Sequence, residues 1–566
     1  MDRRSFLRTS GAAAGAASFI PALTSRSFAA KPAGKNSVAS GSNGRPEITS
    51  TLAPWAPAAG DWNVTTINHL FRRAGFGATY SEITAAKAMT PAAAVDALMD
   101  DALLTGNNLP QPPEHSQDWL HVQPYLGSDY NLQVKQQTDY YNAMLAIRRW
   151  WTSLMADPKT MLRERMTLFW MNHFVIEESK VYYPQMVYNY LDYFRKHPWG
   201  NFKQMVKDVT ISPAMLIYLD GQYSYGARPN ENYGRELMEL FTLGVAYKDG
   251  SANYTEDDIH QMARALTGWV IDPTAQPPNV VPGVYDVNRH DSTLKNPFGA
   301  PKKDYGLVAS GYVTDDVIDL LFQLKGDRLA WYICSKLYQQ FVYHDISTPS
   351  AIAIIDGLAQ TFQSNWELKP VLSQLLKSEH FFDIANIGAQ IKSPYDFLLG
   401  LFRSVDLGVD QYQGGTLYYY AYYSNQWLLD PPNVKGWPGY HSWISTTTLP
   451  QRNTLAGALA ISSTGIPAQG ATGYDGKVDT GFSWTDANVT AWAQQFPSYN
   501  GKFSDFLSEV SQFLCAIKPS QTALKAKILD NFPNSYEWPT LTDANKLVPL
   551  RLVVSAIAQF ANYQLT

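Results

Sequence analysis

The stretch Arg228-PNENYGRELMELFTLGVAYKDGSANYTEDDIHQMARALTG-Trp269 decides the fold class. It predicts helix, short loop, helix. Asn230 is a good N-cap and Gly244 a good C-cap for the first helix. Tyr233, Leu237, Leu240, Phe241 and Gly244 repeat at the spacing of a buried stripe. Asn232, Glu236 and Glu239 form a polar stripe beside it, with Arg235 on the same flank. Thr255 and Asp258 predict a capping box for the second helix, with a shorter acid than usual. Ile259, Met262, Ala263 and Leu266 form its apolar face. Asp257, Gln261 and Arg264 form a polar one, with His260 alongside. Helices joined by about ten residues pack side by side. If the polar stripes also meet, Glu236, Glu239, Asp257, His260 and Arg264 converge. The other reading of the same spacing is a solvated, salt-bridged face.

Working outward, helical periodicity dominates. Segments are predicted at 64–75, 79–88, 91–103, 130–156, 158–174, 184–196, 200–209, 213–219, 231–243 and 256–269. Others fall at 314–324, 327–343, 348–364, 367–378, 393–406, 452–460, 503–516, 520–531 and 544–562. Strand patterns are scarce. Gly415 to Ser424, rich in Tyr, reads either as a hairpin or as the start of an aromatic helix. The expectation is a mainly α, large multi-helical domain with long irregular loops and little or no β-sheet.

The N-terminus reads MDRRSFLRTSGAAAGAASFIPALTSRSFAA. Arg3-Arg4-Ser5-Phe6-Leu7-Arg8 matches a twin-arginine export motif, and Ser27-Phe28-Ala29 offers a cleavage site. Residues 1–30 are therefore expected to be a signal peptide, 31–60 a disordered Ala/Gly/Ser/Pro linker, and 61–566 the folded domain. The expected address is periplasmic or secreted. No later segment is apolar and long enough to be a transmembrane helix. Residues 1–30 carry +3, so removing them takes the net charge from −5 to −8. No basic stripe points to nucleic acid. Cys334 and Cys515 sit in apolar helical contexts, either as free thiols or as one long-range disulfide.

Three further features carry candidate chemistry. His173 and Glu177, at i and i+4, could share a helix face; such a pair is either a core histidine or half of a metal site. The irregular stretch Ile271 to Gly311 contains Arg289-His290-Asp291 and Lys295. The loop NQWLLDPPNVKGWPGYHSWISTTTLPQRN, residues 425–453, holds Trp427, Trp437, Tyr440 and Trp443. Pro431-Pro432 and Pro438-Gly439 forbid a helix through it. Its aromatics suit sugar stacking, or clamp the loop onto the helices.

PNENYGRELMELFTLG followed by YTEDDIHQMARALTGW resembles the signature of the domain-of-unknown-function 1800 family of bacterial secreted proteins. Further matches are HLFRRAGFG at His69, ERMTLFWMNHF at Glu164, PAMLIYLD at Pro213 and RHDSTLK at Arg289. KLYQQFV at Lys336, KSPYDF at Lys392 and PPNVKGWPGYHSWI at Pro431 complete the set. They cover nearly all of 61–566. Met171 stands where members often carry the first His of a His-Asn-His, which counts against a role that needs both. The resemblance implies the fold and the address more than a reaction. It favours residues 289–295 folding back over the helix pair. It also implies a second exported protein as partner, related to the alkaline-phosphatase and sulfatase group.

No GxSxG elbow, P-loop or dinucleotide-binding glycine motif appears. The expected function is an extracytoplasmic hydrolase or lyase acting on polysaccharide or another envelope polymer. Glu236 and Glu239 form the paired carboxylates, with Asp257 as substitute. His260, His290 and Asp291 join as acid/base partners, and Arg264 holds an anionic group. Asn230, Glu231, Arg235, Trp269, Lys295, Lys435, Trp437 and Trp443 are the expected substrate contacts. No cofactor motif is evident. A divalent metal could instead be held by residues among His173, Glu177, Asp257, His260 and His290. The alternative is a non-catalytic exported binding or assembly partner whose polar cluster is structural.

Overall fold

The computed structural model describes residues 48–100, 129–271, 283–307, 315–461, 468, 480–532 and 535–566. The expected signal peptide lies outside them. So does most of the expected linker, but its last part does not follow the expectation. Trp55 stacks on Phe382 with ring centroids 4.4 Å apart, and its backbone N–H bonds Lys377 O at 2.8 Å. Thr49 N–H bonds the Asp383 carboxylate at 2.9 Å. Residues 48–60 are therefore packed against the helical body, because Trp55, with Trp62 just beyond, gives the segment an aromatic surface to bury.

The described chain is mainly α. Its first helices are α1 (Val64–Ala74), α2 (Tyr80–Lys87), α3 (Pro91–Leu98), α4 (Tyr130–Ala156), α5 (Met161–His173), α6 (Glu178–Val181) and α7 (Pro184–Lys196). Next come α8 (Phe202–Thr210), α9 (Pro213–Tyr218), α10 (Glu231–Glu236), α11 (Glu256–Ala265), α12 (Val317–Phe341), α13 (Pro349–Gln363), α14 (Leu368–Lys377) and α15 (Glu379–Phe382). The rest are α16 (Pro394–Ser404), α17 (Gln411–Tyr423), α18 (Thr448–Ile461), α19 (Asp486–Gln494), α20 (Phe503–Leu514), α21 (Gln521–Lys527) and α22 (Asp543–Ala558). Strands are two residues long: β1 (Trp269–Val270) pairs antiparallel with β2 (Val284–Tyr285), and β3 (Tyr305–Gly306) parallel with β4 (Asp315–Asp316). No described helix is long and apolar enough to cross a membrane.

The Tyr-rich segment forms the helix α17, packed along α4, so the hairpin reading fails. The predicted helices 314–324 and 327–343 run end to end as α12, with the predicted break between them. It bends at Lys325 (φ −124°, ψ 17°), where a Cβ on Gly326 would sit 3.2 Å from Trp366 and Gln363. Close packing against Trp366 and Gln363 leaves no room for a side chain at the bend.

Trp151, Trp170, Trp484, Trp492 and Trp538 are fully buried. The indole N–H of Trp170 bonds Pro198 O at 2.7 Å, and that of Trp492 bonds Ser404 O at 2.8 Å. Trp151 donates to Glu164, whose carboxylate also takes Arg195 Nε at 2.9 Å, both partners having no exposed side-chain surface. Much of the high tryptophan content therefore builds the core, where each ring also brings a donor that needs an acceptor.

Candidate functional site

The helix carrying Glu236 and Glu239 starts as predicted. Asn230 Oδ1 accepts from Asn232 N–H at 2.9 Å, and its amide donates to Leu219 O and Asp220 O, both at 3.0 Å. Asn230 is thus spent on the cap. After Glu236 the helix widens into a π turn, Leu237–Thr242, closed by Leu243 N–H to Met238 O at 3.0 Å. Its final carbonyls, which a helix end leaves without partners, are met by side chains from other elements. Tyr332 OH donates to Leu240 O at 2.9 Å, His173 Nε2 to Phe241 O at 2.9 Å, and Asn253 Nδ2 to Leu243 O at 2.7 Å. Gly244 follows with φ +74°, the cap expected of it. Widened turns of this kind recur at functional sites.

His173 is therefore a core histidine. Rings of Phe169, Trp170, Phe174, Phe202, Phe241 and Tyr332 surround it, and burial takes its pKa from 6.5 to about 3. The helix ends at His173 (Phe174 φ −95°, ψ 71°), so Glu177 is not one turn further on the same face. Glu177 instead accepts from Tyr218 OH at 2.9 Å. The expected His173–Glu177 pairing is corrected on that ground. Among the described residues, no group of three or more His, Cys, Asp or Glu is placed to hold a metal ion.

Helices α10 and α11 do pack side by side. A Cβ on Gly234 would lie 3.3 Å from Ala263 N, so backbones touch there. Two polar contacts flank this point: the Arg235–Glu256 ion pair at 2.7 Å, and a hydrogen bond between the exposed His260 Nδ1 and Glu231 at 2.9 Å. Asp257 is exposed and accepts from its neighbour Gln261 at 3.3 Å. The expected single convergence becomes two separate sets of contacts. The facing surfaces are the small and apolar ones, so the two polar stripes find different partners.

The first group is Glu236, Glu239 and Lys435. Lys435 Nζ reaches Glu239 at 3.8 Å from the proline-rich loop, but is 70 % exposed, so this pair is weak. Glu236 is half-buried. Burial, then the charge of Glu239, raise its carboxyl above the usual range, against the pull of Lys435 and Arg235. Phenols surround the pair. Burial and Glu239 push Tyr254 up to about 12, and Tyr218, bonded to Glu177, also faces the charges of Asp430 and Glu236.

The second group closes residues 289–304 over α11. Arg264 Nε donates to Asp291 at 2.7 Å and Nη1 to Gln261 at 2.9 Å, and Nη2 bonds Thr293 Oγ1. Burial pushes Asp291 up, yet the Arg264 and Thr293 donors outweigh it and hold it at about 2. His290 lies between Thr267 O at 3.0 Å and Asp304 at 3.1 Å. Lys295, with no exposed side-chain surface, donates to Asp304 at 2.6 Å and to Asp291 O; burial lowers its pKa. Trp269 is buried beside Tyr285. The predicted fold-back of His290 and Asp291 is present, as a clamp whose charges answer one another.

Trp437 and Trp443 are buried, with Asn172 Oδ1 taking Trp437 N–H at 2.7 Å. Sequence reasoning missed Tyr218, Tyr254, Thr267 and Asp304. Tyr218 and Tyr254 lie within quoted motifs or beside them, but nothing in their spacing marks a role.

No curated protein and no solved structure matches the chain. Residues 69–565 match the family described as "Protein of unknown function (DUF1800)", and the chain belongs to that family.

Proposed function

We propose that the protein is an exported enzyme, a hydrolase or lyase acting on polysaccharide or another envelope polymer through Glu236 and Glu239. The observation that carries this reading is the half-buried Glu236, kept more easily protonated than an ordinary carboxylate beside a second one. A carboxyl raised above its usual range beside a second carboxylate is the starting point for a general acid. Glu236 is the acid in this reading, Glu239 the base or nucleophile, and Lys435 the cation nearest to Glu239. Export by the twin-arginine route rests on Arg3-Arg4-Ser5-Phe6-Leu7-Arg8. The Arg264, His290, Asp291 and Lys295 group supports the reaction only by holding α11 in place.

The test is a panel of neutral and acidic polysaccharides and peptidoglycan, scored for new reducing ends and unsaturated products. Turnover that falls at least about a hundredfold in Glu236→Gln, with the fold retained, is expected. Turnover on none of the panel, or undiminished in both Glu236→Gln and Glu239→Gln, overturns the reading.

A second reading has its own support. The clamp's charges are matched internally, as in an exported partner whose polar residues are structural. Co-purification of a second exported protein, undisturbed by Glu236→Gln, would favour it.

A further inference from the structure

The quoted motifs other than the helix pair bring arginines to one place. A cleft of about 140 Å³ has Arg72, Arg73, Arg165 and Asp396 on its polar side and Trp437, Tyr440 and Trp443 as its aromatic side. Arg72 and Arg73 end α1, Arg165 lies within α5, and Asp396 is in the first turn of α16.

The charges do not balance. Arg72 is 7 % exposed; its Nη2 donates to Phe513 O at 2.6 Å, while its buried Nη1 has no hydrogen-bond partner among the described residues. Arg73 bonds Phe341 O at 2.8 Å through Nε and Gln340 O at 2.6 Å through Nη2. Arg165 bonds Gly75 O at 3.1 Å through Nε, and Asp396 through Nη2. Those bonds leave Nη1 of each guanidinium over. Among the described residues, Asp396 is the only carboxylate on the cleft wall. It also answers the charges of the buried Lys392 and Arg452 behind it. Burial, then Arg165, bring Arg73 down to about 9, and burial brings Arg72 to about 10. Desolvating a charge without a partner is costly, and this excess of cations sits in a chain of net charge −5.

The aromatic side is held in place with equal care. Asn172 clamps Trp437, and Gly439 and Tyr440 follow in left-handed backbone, φ +74° and +46°. For a bulky residue that conformation is costly and clusters at binding sites.

We propose that this cleft binds an oxyanion, a carboxylate or phosphate, carried on a sugar-sized ring that rests against Trp437, Tyr440 and Trp443. Guanidinium nitrogens suit oxyanions because they donate in a planar fork. The volume admits one anionic unit, below the range of sites that engulf a whole drug-sized molecule. The site stands on its own residues and does not depend on whether Glu236 and Glu239 catalyse a reaction.

The experiment uses the full mature protein in phosphate-free buffer at constant ionic strength. Inorganic phosphate, glucuronate and glucose are titrated by calorimetry. Phenylglyoxal labelling, mapped by peptide mass, then reads protection of Arg72, Arg73 and Arg165. Binding and protection by phosphate or glucuronate, and not by glucose, is expected; whichever anion acts identifies the source. Arg72→Gln weakens that binding by about tenfold or more. If that variant does not fold, wild-type protection alone decides. No heat and no protection with either anion, or protection equalled by glucose, overturns the proposal.

Discussion

His173 Nε2 lies 2.9 Å from Phe241 O, so a side chain of α5 finishes the widened turn that follows Glu236 and carries Glu239. The bond needs a proton on Nε2, and burial keeps the ring that carries it neutral.

Acid should therefore loosen the molecule earlier than carboxylate titration would. His173 and the equally buried His69 have folded pKa values of about 3 against 6.5. Between those values the unfolded chain binds the extra protons, so stability rises with pH up to about 6.5 and is flat above. Each histidine contributes on the order of 1 kcal/mol of loss between pH 6.5 and 5.5. Urea unfolding at pH 7.5 and 5.5 measures this. His173→Gln, which can still donate to Phe241 O, should roughly halve the difference.

Glu236→Gln and Arg264→Ala should behave oppositely. Glu236 prefers its proton in the folded state, so above the usual carboxylate range its charge costs stability. Glutamine leaves stability within about 1 kcal/mol of wild type, or slightly higher. Arg264→Ala strands Asp291 in a site where its carboxylate is 10 % exposed, and should cost about 3 kcal/mol. Denaturant midpoints of the two variants decide it; equal losses would contradict the division of the polar residues into two groups.

Gly436→Ala should detach the proline-rich loop. Gly436 has φ +76°, and a Cβ there would lie 2.6 Å from Asn172 O and closer still to its amide oxygen. A cost of about 2 kcal/mol or more is expected, together with quicker proteolysis between residues 425 and 445.

Cys334 and Cys515 are both buried and free, and burial pushes the Cys515 thiol up to about 12. Neither should react with a thiol reagent in the native protein. Both should react once the protein is unfolded without reductant.

Most of the fold was legible because helices announce themselves locally. Asn230, Thr255 and Gly244 cap where their chemistry says they should, and α17 stayed open between helix and hairpin because tyrosines suit strands as well as helices. The candidate site was less legible. Spacing tells which residues share a face of α10 or α11, but not which faces meet. The Gly234–Ala263 contact settled that by close packing. His173 and Glu177 looked like partners because i and i+4 assumes a continuous helix, and the helix ends at Phe174. Arg72, Arg73 and Arg165 each look like ordinary surface cations until tertiary structure buries them together.

The cleft residues span positions 72 to 443. A ribosome releases the chain from its N-terminus, so Arg72 waits for some 370 further residues before Tyr440 and Trp443 can close the other side. No shorter fragment contains the cleft. Its formation must wait until residue 443 has been made, and a ligand held there would favour molecules in which the two distant ends of the cleft have come together.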